Sequence, residues 1–234
     1  MSSKQKIRKM NSIKFRLEDL PEIEPITAGQ EQAFKYFEEG NNLVLSGTAG
    51  TGKTFVALYL AFEEVLDKET PYDNIVLIRS VVPTREIGYL PGNEAEKKEA
   101  YTGPYRSICA EIFGVSDAWM KLKQTGIISF ETTSFIRGTT YNNSIIIVDE
   151  MQNLNFHELD SVITRIGRDC RFIASGDYYQ SDFDKDKEKN GVLTFLKIVE
   201  HMKDFEIVEF GWQDIVRSGL VRDYIMTKEM LEIR

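Results

Sequence analysis

The chain has 234 residues, 42% hydrophobic and 28% charged, enough to bury a full core as one large domain. No apolar run approaches membrane-spanning length and the first residues lack a signal peptide's apolar block, so a cytoplasmic, soluble protein with no membrane partner is expected. Net charge is −8, with six Lys/Arg and no acid in residues 1–16 and 23 basic against 37 acidic residues beyond, which argues against passive binding of duplex through a broad basic face.

Residues 1–20 read as a basic, flexible tail, suited either to a nucleic-acid backbone or to plain solvation, and residues 21–234 as a single domain. Two cysteines, Cys109 and Cys170, make neither a disulfide framework nor a zinc site. Thr27 can cap a helix running through Gln30, Ala33, Phe34 and Phe37 to a stop near Gly40. On spacing alone Gln30 is an exposed helix residue, although its amide offers the donor and acceptor that an adenine edge requires.

Leu43 to Leu45 is a short buried strand. After it, Gly47, Thr48, Ala49, Gly50, Thr51, Gly52, Lys53 and Thr54 satisfy G-x-x-x-x-G-K-[ST] at every fixed position. In that pattern the glycines let backbone N–H groups curl inward onto phosphate oxygens. Lys53 reaches the outer phosphates, and the Thr54 hydroxyl is placed to ligate Mg2+. Phe55 to Leu66 then has helical spacing, and a helix N-terminus adds its dipole to the anion site.

Ile75 to Ile78 is a second strand, ending at Arg79. Residues 81–92 read as an ordered loop and 94–100 as a charged helical piece. Helices over Pro104 to Phe113 and Trp119 to Leu122 precede a strand at Ile127 to Phe130. Ile145 to Val148 is β-branched throughout and does not alternate, the mark of a central parallel strand covered on both faces. A helix over Leu154 to Ile166, a strand over Arg171 to Ser175, a charged loop over 182–190, a helix over Val192 to Met202 and a strand over Phe205 to Phe210 follow. From Asp214 the chain is mostly helical. Alternating strands and helices imply an α/β fold, a P-loop NTPase with a doubly wound, mostly parallel sheet and helices on both faces. Ligands of such sheets collect at the carboxyl ends of the strands, where Lys53, Arg79, Asp149 and Gln180 all fall.

Asp149 and Glu150, just after the Ile145 strand, supply what hydrolysis needs beyond a phosphate cradle. Asp149 is placed to hold Mg2+ with Thr54, and Glu150 to accept a proton from the attacking water. Gln180, after the next strand, is neutral and bifunctional, able to bond the outer phosphate or the water.

Gln30, residues 47–54, Asp149-Glu150-Met151-Gln152-Asn153 and Gly176-Asp177-x-x-Gln180 together look like the first RecA-like domain of a superfamily 1 helicase. More narrowly, the chain resembles the PhoH family from about Pro25 to Ile225. Ile87 to Gly92, Pro104-Tyr105, Ile136-Arg137-Gly138-x-Thr140, Thr164 to Gly167 and Asp214-Ile215-Val216-Arg217-x-x-Leu220-Val221 are also family-like. The resemblance implies ATP and Mg2+ as cofactors, with Gln30 reading adenine. It implies ATP hydrolysis coupled to binding or unwinding of RNA or single-stranded nucleic acid, in a ring-shaped homo-oligomer, with a hexamer among the candidates. Superfamily 1 helicases place ATP between two RecA-like domains, so an arginine supplied in trans is expected here. Arg217 is the first choice, with Arg165 and Arg137 behind it. Lys53, Glu150, Gln180 and Arg217 form the expected catalytic set. Unlike in some family members, no extra nuclease or RNA-binding domain is expected, and the wording at residues 82–86 is irregular relative to the family. Two rivals stand beside this reading. A P-loop kinase would need a cysteine zinc site and a lid. A nucleotide-dependent switch acting on a protein partner would not need Glu150. Tyr89, Tyr101, Tyr105, Tyr178 and Tyr179 are candidates either for stacking on bases or for packing.

Overall fold

The short apolar runs at residues 43–45, 75–78, 145–148 and 172–174 become parallel strands sandwiched between two cores. The computed structural model describes residues 14–80, 101–133, 136, 138–177, 186–231 and 233, with only the backbone of 186–190. Gln180, Arg137, Tyr89, Tyr178, Tyr179 and the segment 81–100 lie outside the described residues. The strands are β1 (Asn42–Gly47), β2 (Asn74–Arg79), β3 (Ile128–Thr132), β4 (Ser144–Asp149), β5 (Cys170–Gly176) and β6 (Phe205–Phe210). They form one sheet in the order β3-β2-β4-β5-β1-β6, and all its pairings are parallel. β4 is central and fully buried along its length, as its composition predicts.

Leu43, Leu45, Ile75, Leu77, Ile145, Ile147 and Ile173 face one core. The helices α1 (Ala28–Glu38), α2 (Lys53–Leu66), α3 (Gly103–Phe113) and α4 (Ala118–Gln124) close it. The intervening residues Val44, Val76, Ile78, Ile146, Val148, Phe172 and Ala174 face the other core, beneath α5 (Phe156–Ile163) and α6 (Asp186–Val199). The period-2 alternation of side chains is thus present, but both sides are apolar because both are covered. A last helix, α7 (Gly219–Met230), buries no residue. No helix among the described residues is long and apolar enough to cross a membrane.

One buried ion pair ties α1 and α2 to the sheet. Arg171 of β5 bonds Glu64 of α2 at 2.9 Å and donates to the carbonyls of Phe37 in α1 and Asn41 beyond it, its guanidinium 3.3 Å from the Phe37 ring centroid. Burial lowers the Arg171 pKa, and Glu64 opposes that shift.

Four expectations are corrected. The tail expected over 1–20 does not extend to its last residues: Phe15 is buried against Phe113, with ring centroids 4.2 Å apart, and a short 3-10 helix spans Leu17–Asp19. The helix expected over Leu154 to Ile166 is present but shorter, Phe156–Ile163, because Asn155 caps it: its side chain accepts from Glu158 N while Glu158 accepts from Asn155 N. A 3-10 turn, Met151–Asn153, precedes it. The charged loop expected over 182–190 turns helical from Asp186, in keeping with the helix propensity of lysine and glutamate. Gln30, read on spacing as exposed, is only 8% exposed because α1 packs beside the loop after β1.

Candidate functional site

β1 delivers the chain to Gly47, where φ is +122° and a Cβ would overlap the Phe210 carbonyl oxygen of β6. Only glycine fits there. The Thr48 amide then donates to that same carbonyl at 2.9 Å. The loop closes on itself through Thr51 Oγ1, which donates to the Thr48 carbonyl at 3.0 Å, and Thr51 is fully buried. Gly52, at φ +85°, turns the chain into α2. Lys53 Nζ spans the loop, donating to the carbonyls of Gly47 and Thr48, both at 2.7 Å. Burial lowers the Lys53 pKa, and the carboxylates of Asp177, Glu150, Asp149 and Glu229 oppose that shift. The Lys53 ammonium therefore sits inside the loop, ringed by acids.

Asp149 ends β4 and is 4% exposed. Its Oδ1 accepts from Thr54 Oγ1 at 2.9 Å and from Ser175 Oγ at 2.7 Å, and its Oδ2 accepts from Tyr105 Oη at 2.8 Å. β5 lies between β4 and β1 in the sheet, which is why Ser175 reaches a carboxylate that also meets the start of α2. Arg79 stands directly opposite Asp149 in the β2–β4 register.

Glu150 adopts the left-handed conformation, φ 54° and ψ 46°, which is strained for a side chain of its kind. Gln152 donates its amide to Glu150 Oε2 and accepts from the Asp177 amide at 3.0 Å, linking the ends of β4 and β5. Burial raises the Glu150 pKa, and the Asp149 charge raises it further. Arg79, Gln152 and Lys53 work against the shift. A carboxylate so tuned is a better proton acceptor near neutrality than an exposed one.

The loop and the ends of β2, β4 and β5 border one cleft of about 770 Å³, and Gln30, Lys53, Thr54, Arg79, Glu150, Asp177 and Arg217 all line it. Gln30 Oε1 accepts from the Ile26 amide at 3.0 Å and its Nε2 donates to the Thr51 carbonyl at 3.3 Å, so its amide is spent on holding the chain around the loop. Arg217 lies over its own loop: a Cβ at Gly50 would stand 2.9 Å from Arg217 Cγ. Arg217 thus lines its own chain's cleft. Arg165 lies away from the cleft, at the amino-terminal edge of the sheet, where its carbonyl accepts from Tyr141 just ahead of β4. Arg137 and Gln180 lie outside the described residues.

Ser175 and Glu229 carried no functional signal in the sequence, while Tyr105, Gln152 and Asp214 fell in family-like segments without the contacts seen here. Tyr105, a candidate either for stacking on bases or for packing, is fully buried and bonded to Asp149, which is the packing alternative. Asp214 accepts from the Gly29 and Gly211 amides, both at 2.9 Å, and anchors the carboxyl-terminal segment to α1. Val216 N then donates to the Gly50 carbonyl at 3.1 Å. Glu229 of α7 accepts from Thr48 Oγ1 at 3.4 Å and from the Trp212 indole.

Residues 22–229 match the family model described as "PhoH-like protein". Protein PhoH of Escherichia coli K12 is 31% identical over 207 residues, covering 86% of this chain and 58% of that protein. The PhoH-like protein of Mycobacterium leprae is 28% identical over 206 residues, covering 87% of this chain and 57% of that protein. The chain thus spans 57–58% of the length of these relatives. Among solved structures, the large terminase of a thermophilic bacteriophage is similar in fold, with a TM-score of 0.50 at 12% identity over 88% of this chain and 50% of that one.

Proposed function

The chain belongs to the PhoH-like protein family, and from that premise we propose that it is a Mg2+-dependent ATPase. The observation that carries the reading is the convergence of Thr54, Ser175 and Tyr105 hydroxyls on the Asp149 carboxylate, beside Lys53 and a Glu150 of raised pKa. The residues fit a nucleotide and its cation. The loop 47–54 has the glycines that close backbone approach requires, and its N–H groups and the N-terminus of α2 favour phosphate. Among the described residues no cluster of three acidic, histidine or cysteine side chains could hold a metal alone. A hydroxyl with one carboxylate suits a cation that shares its ligands with substrate phosphates and water. Thr54 and Asp149 would hold Mg2+, which supplies charge neutralisation on the phosphates when bound.

In this reading Lys53 exchanges loop carbonyls for phosphate oxygens. Glu150 takes a proton from the attacking water as the new oxygen–phosphorus bond forms and the bond to the leaving ADP oxygen breaks. The proton then passes from Glu150 to solvent or phosphate. Arg79, across from Asp149, and Arg217, over Gly50, add positive charge on two sides. Gln180 acts as the sensor of the outer phosphate, and Gln30 pairs with adenine by giving up its present partners. Coupling of turnover to RNA or single-stranded DNA, and assembly of like subunits into a ring, complete the proposal and rest on the family resemblance. A second reading, a nucleotide switch with little turnover, is favoured by α7, which touches the loop while burying none of its own residues.

The test is ATP turnover by the purified chain with and without single-stranded RNA and DNA, beside Lys53→Ala and Glu150→Gln. Turnover stimulated by one polymer and lost in both variants supports the coupled ATPase. Turnover indifferent to both polymers leaves an ATPase and removes the nucleic-acid coupling. Tight binding without turnover favours the switch.

A further inference from the structure

Asp149 is gripped by residues of two kinds. Thr54 and Ser175 belong to the strand–loop–helix frame and share Oδ1. Tyr105 comes from the first turn of α3, on a separate stretch of chain, and alone among the three serves Oδ2. Its ring is 0% exposed and sits with the Trp119 and Phe130 rings at centroid distances of 6.2 and 5.8 Å. Packing alone asks only for that ring. The hydroxyl is an addition, placed against a buried charge and also facing Arg79. A carboxylate with a donor on each oxygen is fixed in rotation about its Cβ–Cγ bond. With donors on one oxygen only, the whole carboxylate can tilt about that contact and the other oxygen can draw in water.

We propose that Tyr105 is a positioning residue for the cation-holding carboxylate. By bonding Oδ2 it sets the plane of Asp149 relative to Thr54, and the Mg2+ dependence of nucleotide binding then depends on one phenolic hydroxyl of α3. The inference rests on the nucleotide-site reading above. It adds a link from α3 to the metal-binding edge, since outer partners of a ligand tune affinity by orienting it.

The experiment is a Mg2+ titration of a fluorescent ADP analogue bound to wild type and to Tyr105→Phe, with a parallel measurement in EDTA. The variant is expected to need about tenfold more Mg2+ at the midpoint, the lower end for loss of an outer-shell partner. Its metal-free nucleotide affinity should stay within about twofold of wild type, because the phosphate loop is untouched. An unchanged Mg2+ midpoint, or a metal-free affinity that falls by the same factor, overturns the inference while leaving the site reading intact. A wild type whose nucleotide affinity ignores Mg2+ overturns both. If Tyr105→Phe fails to fold, 3-fluorotyrosine at position 105 keeps the ring and hydroxyl. Its fluorine resonance should move when Mg2+ is added to the nucleotide complex, and a resonance indifferent to Mg2+ overturns the inference.

Discussion

The floor of the cleft and the segment lying across it touch the same loop on opposite terms. In the floor, Leu43, Leu45, Thr51, Ile147 and Val148 are 0% exposed, and Asp149 has a donor on each carboxylate oxygen. In the cover, residues 212–231, α7 buries nothing, and Leu220 and Tyr224 remain 83% and 68% exposed. What holds the cover is the buried Asp214 and Ile215 with two polar bonds to the loop, Val216 to Gly50 and Glu229 to Thr48. The floor is preorganised by packing. The cover has the low density of buried contacts that marks locally weak structure, and it is the part able to yield when phosphates compete for the loop.

Changes in the floor should therefore be large and changes in the cover small. Lys53→Ala removes the ammonium inside the loop, and nucleotide affinity should fall by about a hundredfold or more in calorimetric titration, consistent with loss of a charge-assisted contact in a water-poor site. Gly47→Ala places a methyl group on the Phe210 carbonyl in a left-handed conformation, and should destabilise by about 3 kcal/mol in thermal unfolding. An unshifted melting curve would mean that the β1–β6 contact is not as close as described.

The pH dependence sharpens the comparison. In the proposed role Glu150 is a base only when deprotonated, so turnover should exist above its pKa and be lost as pH falls through it. Burial and Asp149 raise that pKa in the free chain, which puts the acid limb of kcat/KM above the ordinary glutamate value of about 4.3. Arg79 opposes the rise, so Arg79→Met should lift the Glu150 pKa further and move the acid limb to higher pH. A limb that moves down would remove Arg79 from the base's surroundings. The smallest effect belongs to the cover. Glu229→Gln deletes a partly exposed negative charge near the phosphate loop, and nucleotide affinity should tighten by about two- to fivefold, less at high salt. Weakened binding would show that α7 helps to build the site.

The same division explains what was legible in the sequence. The floor is local: β1, the loop 47–54 and α2 are contiguous, and Ile145 to Val148 announces a strand covered on both faces, so Lys53, Thr54 and Asp149 could be placed without coordinates. What was missed is tertiary. Ser175 and Tyr105 meet Asp149 only because of the strand order and the landing of α3, which no spacing encodes. Gln30 was misread because helical periodicity reports a face, not the loop that face packs against. The place of Arg217 over its own loop was not legible, because the return of the chain across that loop, pinned by Asp214, is a long-range hydrogen bond rather than a pattern. The cap at Asn155 was available in principle, since Asn followed three residues later by Glu is a capping box, but the apolar run around it masked the signal.

The central claim, that the cleft is a hydrolytic site with Glu150 as its base, is tested most directly by single-turnover ATP hydrolysis in wild type and Glu150→Gln, with nucleotide affinity measured on the same preparations. A fall in the hydrolysis rate of about 10²- to 10⁴-fold, with affinity held within about threefold, is the predicted result. A Glu150→Gln protein that hydrolyses ATP at the wild-type rate, or a wild type that binds ATP and never turns it over, would contradict it.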